Sequence, residues 1–242
     1  MVTDCAECPL RELDCFDGLT ADEATFLRRF KKGELKVEPG TPLLAEGTRS
    51  PQLFTALEGM GVRSKTLADG GRQVVNFVMP GDFLGLQAAV MGEMEHSAEA
   101  TTAMVLCVFD RSELWTLFKS QPERAYDLTW IAALEEHFLG EALTSIGRMS
   151  AVERLSWGLL RYFRKCEDLG LATGQCCPFP FRQQDLADAV GLSLVHTNKT
   201  LMRLRERQMA SIREGQLTVL DADALADCAP LEIATRRKRP LL

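Results

Sequence analysis

The chain of 242 residues is long enough for one large or two ordinary domains. It contains no apolar run of membrane-spanning length, and its first residues, Met1 to Asp14, lack the basic and apolar regions of an export signal, so a cytoplasmic protein with no membrane partner is expected. The net charge of -6 speaks against a nucleic-acid partner until the chain is divided at Ser150: residues 150–242 hold 14 Lys+Arg and 11 Asp+Glu, residues 1–149 hold 14 and 23.

Residues 1–18 form an arm carrying Cys5, Cys8 and Cys15 at a ligand-like spacing. With no export signal, the eight cysteines point to metal, redox or core roles rather than a disulfide framework. A short helix starting near Asp22 or Glu23 follows, running through Phe26 and Leu27 into the charged patch Arg28 to Lys32. From Glu34 to Asp110, short runs of Val, Leu and Phe are punctuated by Pro39-Gly40, Glu46-Gly47, Asp69-Gly70-Gly71 and Pro80-Gly81-Asp82. Strands at that regular spacing predict an antiparallel sandwich or roll over residues 19–120, with Gly40, Gly47 and Gly59 at its sharp turns. A helix with Leu114, Leu117 and Phe118 leads through Pro122 into a long helix over 121–149. Along it Ile131, Leu134, Phe138, Ala142, Ile146 and Met149 recur every three or four residues, the seam of a helix that pairs with a second copy in a homodimer or packs on its own barrel.

Ser150-Ala-Val-Glu153 is a capping box that opens a C-terminal domain, residues 150–242, with Leu155, Leu159, Leu160 and Phe163 in its core. Leu171 to Phe181 reads as a loop. Arg182 to Met209 then reads as two helices joined by a tight turn, with Leu186, Ala187 and Val190 inward on the first, Gly191 as its stop and Ser193 capping the second. On the second, Thr197, Thr200, Leu201, Leu204 and Gln208 form the inner stripe; Leu194, Val195, Asn198, Lys199, Met202 and Arg203 face outward. Such a pair lays its second helix in the major groove, and Gln183, Ser193, Val195, His196, Asn198, Lys199 and Arg203 are the candidate contacts to double-stranded DNA. A hairpin, Ser211 to Leu220 turning at Glu214-Gly215, completes a winged helix. The alternative is a solvated helical hairpin in a dimeric module that acts through protein contacts. His96, His137 and His196 lie in unrelated segments without triad or metal spacing, so no enzyme is expected.

The order of β-roll, dimerisation helix and winged helix, with PGTPLLAEG at 39–47, PGDFLGLQ at 80–87, GRMSAVERL at 147–155 and GLSLVHTNKTLMRLR at 191–205, resembles the Crp/Fnr superfamily of bacterial transcription regulators. The resemblance implies an α+β fold with a cyclic-nucleotide-binding-like barrel as sensor, and RNA polymerase as a further partner. Members that bind cyclic AMP carry a Glu, and later an Arg followed by Ser or Thr; here those positions hold Leu86, His96 and Ser97, so cyclic AMP is not expected as a ligand. The oxygen-sensing members hold a 4Fe-4S cluster on an N-terminal cysteine group and one barrel cysteine, a set that Cys5, Cys8, Cys15 and Cys107 resemble. The six-residue gap before Cys15 departs from that pattern. No cofactor at all, with Cys107 a core residue and the arm thiols incidental or redox-active, therefore stands beside the cluster, with zinc at the same four cysteines as a third reading.

Overall fold

The computed structural model describes residues 2–233 and 238–242, which divide into two compact units, Met1–Glu135 with Lys238–Leu242, and Glu136–Arg237. In the first unit the arm runs as two 3-10 turns, Cys5–Glu7 and Pro9–Glu12, into helix α1 (Ala21–Phe30). A capping box starts α1: the Thr20 hydroxyl accepts the Glu23 amide at 3.3 Å, and the Glu23 carboxylate accepts the Thr20 amide at 2.8 Å. Strand β1 (Lys31–Val37) follows at once, so Lys31 and Lys32 belong to the barrel instead of the helix. The cause is local: the buried Lys31 ammonium donates to Glu34 Oε1 and to the Thr3 carbonyl, both at 2.8 Å, fastening strand to arm.

The roll continues with β2 (Pro42–Leu44), β3 (Gln52–Glu58), β4 (Gly61–Thr66), β5 (Arg72–Val78), β6 (Phe83–Leu84), α2 (Leu86–Met91), β7 (Ser97–Ala100) and β8 (Met104–Asp110). Its strands form two antiparallel sheets, β1-β8-β3-β6 and β2-β7-β4-β5, between which Phe54, Val78, Leu84, Met94, Met104 and Leu106 pack as the core. Burial of such side chains contributes about 1.5–3 kcal/mol each, which is what closes the roll. Gly59 turns the chain at a φ of +83°, and a Cβ there would overlap the Ala103 carbonyl oxygen. Gly59→Ala combines left-handed strain with that overlap and is expected to cost roughly 2–4 kcal/mol, read as a lowered urea midpoint.

Helices α3 (Leu114–Ser120) and α4 (Pro122–Arg148) complete the path out of the roll, and α4 carries the boundary between the units. The expected seam on α4 does not lie on a single free face. Phe138 stacks on Trp157 with ring centres 6.4 Å apart and lies under the Arg161 guanidinium at 4.4 Å, while Met149 is buried and Ile146 abuts Gly191. Ile131 and Ala142 are half-buried. Spacing of three and four marks a stripe that needs covering but not what covers it, and here Phe138 finds an aromatic and a cation within its own chain. α4 leaves Leu134, Leu139 and Leu143 exposed, and Tyr126 in its first half.

The second unit is built on α5 (Ala151–Asp168), whose capping box joins Ser150 and Glu153 as expected and whose Leu155, Leu159, Leu160 and Phe163 are buried. Then come β9 (Cys176–Pro178), α6 (Gln183–Val190), α7 (Leu194–Glu206), β10 (Ala210–Arg213), β11 (Gln216–Val219) and α8 (Ala222–Cys228). The segment expected to be a plain loop contributes β9, which pairs with β11 to make a three-stranded sheet, β10-β11-β9. No helix among the described residues is long and apolar enough to cross a membrane.

Candidate nucleic-acid interface

Every turn of the α6–α7 pair is set by a short-range device. At the start of α6 the buried Asp185 carboxylate accepts the Arg182 amide at 2.9 Å and holds the Arg182 guanidinium through both oxygens, at 3.1 and 3.0 Å. At its end Gly191, with φ +64°, breaks the helix, and the Leu192 amide turns back to the Ala187 carbonyl at 3.0 Å. Ser193 then caps α7, its hydroxyl accepting the His196 amide at 3.2 Å. Arg154 of α5 ties the arrangement together: it donates to the Met149 carbonyl at 2.8 Å and to the Val190 and Gly191 carbonyls at 3.2 and 3.3 Å. One cation thus satisfies the C-terminal carbonyls of α6 and fixes the turn against the end of α4.

With the turn held there, Thr197, Thr200 and Leu204 go inward on α7, and Leu194, Val195, His196, Asn198, Lys199, Met202 and Arg203 all remain exposed. Gln183, at the first position of α6, and Ser193 are exposed as well. Gln208, expected on the inner stripe, lies beyond the helix at φ +56° and is exposed, because α7 ends at Glu206 and its last turn is closed by the Gln208 amide on the Arg205 carbonyl. The wing forms as expected: β10 and β11 pair antiparallel and turn at Glu214 and Gly215, both with positive φ, the primed hairpin turn. Counted over Glu136–Arg237, the second unit holds 13 Lys+Arg and 13 Asp+Glu, so its attraction for phosphate is local rather than global. From Leu194 to Arg213, across the reading helix and the first wing strand, five Lys+Arg face one Glu.

Two domain families match the chain: the cyclic nucleotide-binding domain over residues 34–121 and the Crp-like helix-turn-helix domain over residues 153–228. Among curated relatives it is 30% identical over 191 residues to the nitrogen fixation regulation protein FixK of Rhizobium meliloti, covering 78% of this chain and 83% of that one. It is 28% identical over 219 residues to FixK of Bradyrhizobium diazoefficiens, covering 90% of each. The chain belongs to the Crp/Fnr superfamily. The solved structure of FixK2 from Bradyrhizobium japonicum shares the fold, with a TM-score of 0.72 at 22% identity over 83% of this chain and 98% of that one. This Crp/Fnr protein is therefore a DNA-binding transcription regulator with a barrel of the cyclic nucleotide-binding type.

In the barrel of this Crp/Fnr regulator, Leu86 opens α2 with an apolar side chain, and the Ser97 hydroxyl already accepts the Glu46 amide at 3.1 Å. A buried cation of the barrel that its sequence context does not reveal is Arg63. It is buried, paired with Glu135 of α4 at 3.1 Å and donating to the Phe83 carbonyl at 3.0 Å. Burial, with Arg63 and Lys65 adding repulsion against the opposing pull of Glu135 and Glu46, pushes His96 down to about 4. The unfolded chain therefore takes up a proton on His96 between pH 6.5 and about 4 that the folded chain refuses. Stability is full above that window and falls as pH drops through it. Discounted for the partial exposure of the ring, the loss is about 1–2 kcal/mol. His96→Gln is expected to flatten the fall in urea midpoint between pH 7 and 5.

Of the four cysteines matched to a cluster, Cys5, Cys8 and Cys107 line one pocket with Lys31, whereas Cys15 is not among the residues lining it. Among the described residues no three His, Cys, Asp or Glu side chains stand where they could hold a metal ion. The four-thiolate set therefore does not fit this arrangement, and burial pushes the Cys107 thiol up to about 11 in spite of the nearby Lys31.

Proposed function

We propose that this protein is a homodimeric regulator in the cytoplasm that reads a palindromic operator through α7, without depending on cyclic AMP, and that RNA polymerase is its further partner. The observation that carries the reading is the exposed row Val195, Asn198, Lys199 and Arg203 on a helix whose start is capped by Ser193 and whose approach is fixed by Asp185 and Arg154. A two-fold pair of such helices reads half-sites one turn of DNA apart, about 34–36 Å. Leu86 in place of a ribose acceptor, Ser97 spent on the Glu46 amide and Arg63 already paired with Glu135 support independence from the nucleotide. A gel shift on genomic fragments, repeated over a salt series with and without cyclic AMP, tests both halves. Selective shifts that weaken with salt and ignore the nucleotide are expected. Equal retention of all fragments, or a shift that requires cyclic AMP, would sink the corresponding half.

A further inference from the structure

The last described segment of the chain, Lys238–Leu242, belongs to the barrel unit and not to the unit that precedes it. Its backbone at Arg239 is shared with the arm: the Arg239 amide donates to the Cys15 carbonyl and the Arg239 carbonyl accepts the Asp17 amide, both at 2.9 Å, in a parallel bridge with Phe16. Its guanidinium meets Asp82 Oδ1 at 2.9 Å and the Pro80 carbonyl at 3.0 Å, and lies over the Phe16 ring at 4.7 Å. Asp82 is itself held, since its second oxygen accepts the Met79 amide at 2.9 Å. Between them Gly81 makes the room: a Cβ there would overlap the Phe16 ring and stand 3.0 Å from the Arg239 guanidinium. Two residues on, Leu241 and Leu242 are only 2% and 7% exposed. They line the pocket of Cys5, Cys8 and Cys107, where the Leu242 carbonyl accepts the Thr55 hydroxyl and the Leu241 carbonyl faces Arg11 at 3.5 Å. Arg11 also donates to the Cys5 carbonyl at 3.0 Å, so one side chain serves the arm and the Lys238–Leu242 segment together.

A fixed carboxylate for a guanidinium, an aromatic face, an extended pairing edge and an apolar pocket for two leucines, in that order, are the parts of a peptide-recognition groove. We infer that the hollow between the N-terminal arm and the barrel is a peptide-binding site. Its occupant is the chain's own Arg239–Leu242, which acts as a removable plug over the thiols of Cys5, Cys8 and Cys107. The segment is short and engages through one ion pair, two backbone bonds to the arm, three further hydrogen bonds, one cation–aromatic contact and two leucine side chains. None of these contacts involves the core between the two sheets, so the segment can open with the barrel still folded, and the arm, built of 3-10 turns, loosens with it. A free peptide carrying the same Arg-Pro-Leu-Leu pattern competes for the groove.

The test is alkylation of the full chain by iodoacetamide at fixed pH, followed by peptide mapping. Cys166 and Cys177, buried and hydrogen-bonded to each other in the second unit, serve as internal controls. Arg239→Glu, which sets a carboxylate against Asp82, is expected to raise the rate at Cys107 at least tenfold and to leave Cys166 and Cys177 slow. Leu242→Asp, which leaves the Arg239 pairing intact, should do the same through the pocket end. Excess synthetic Lys-Arg-Pro-Leu-Leu should restore slow labelling to Arg239→Glu, and Lys-Glu-Pro-Leu-Leu should not. Unchanged labelling at Cys107 in both variants overturns the plug. So does a parallel rise at Cys107, Cys166 and Cys177, which would make the segment a staple of the fold, and so does failure of the peptide to protect.

Discussion

Replacing Leu139 and Leu143 together with glutamate is expected to leave this regulator monomeric. The two leucines stand four residues apart on one face of α4, 44% and 72% exposed. Gly140 and Gly147 on the same helix have no neighbouring atoms where a Cβ would stand, which lets a second helix come close. An isologous pairing of two copies would cover both leucines of each copy, four in all, and a fully exposed leucine that becomes buried contributes about 1.5–3 kcal/mol. Scaled by their exposure, the four supply roughly 3–7 kcal/mol before the cost of association, against about 8 kcal/mol for a micromolar complex, so four carboxylates in their place are expected to part the copies of such a dimer. Sedimentation of the double variant should show one chain, with thermal unfolding of each unit little changed. Phe138→Glu makes the contrast. It removes the ring held between Trp157 and Arg161, so it is expected to lower the unfolding midpoint of the second unit whatever the assembly does. An unchanged dimer in Leu139→Glu with Leu143→Glu would move the interface off this face of α4.

Readings that rest on chain-local chemistry were the ones visible beforehand. The capping box at Ser150 and Glu153, the stop at Gly191, the cap at Ser193 and the hairpin turn at Glu214-Gly215 depend on residues a few positions apart, and each forms. The phase of the α7 outer face followed from the same kind of evidence. Readings that needed a distant partner were not visible. β9 is three residues long with no alternation, and only its pairing with β11 makes it a strand. The spacing of Phe138 marks it as a stripe residue, but the Trp157 ring and Arg161 guanidinium that hold it within the chain lie one helix further on. Arg154, Asp185 and Arg63, which fix the interface and fill the barrel, are charged residues in sequence contexts that read as solvated faces; burial and geometry alone distinguish them. The cysteines divide in the same way. Spacing linked Cys15 to Cys5 and Cys8, but the backbone path through the Phe16–Arg239 bridge leaves it off the pocket shared by Cys5, Cys8 and Cys107.

Lys199→Ala is expected to weaken binding to the true operator by about 1–3 kcal/mol, roughly five- to 150-fold in Kd, while binding to random DNA changes little. The expectation starts from position. Lys199 lies in the second turn of α7, four residues after the exposed Val195 and beside Asn198, on the face opposite Thr197 and Thr200. In the major groove an ammonium can donate to guanine O6 or N7, an Asn amide can bond adenine through N6 and N7, and a valine offers only a methyl surface suited to thymine. The resemblance to the superfamily implies a Glu and a Ser-Arg pair at these positions as readers of a G·C pair, and valine cannot accept from cytosine. The half-site of this protein is therefore expected to depart from that pattern at the base facing Val195. Two measurements separate base reading from simple charge. If Lys199 touches phosphate instead, the alanine variant loses affinity equally on specific and random DNA, and the slope of log K against log salt shallows by about one. If it reads a base, the slope holds and the tolerated bases at one position broaden. Val195→Glu combined with Asn198→Ser and Lys199→Arg exchanges the exposed reading positions of α7 together. That chain is expected to lose its own operator and gain the relatives' G·C half-site, and retention of the original preference would show that α7 does not carry the specificity.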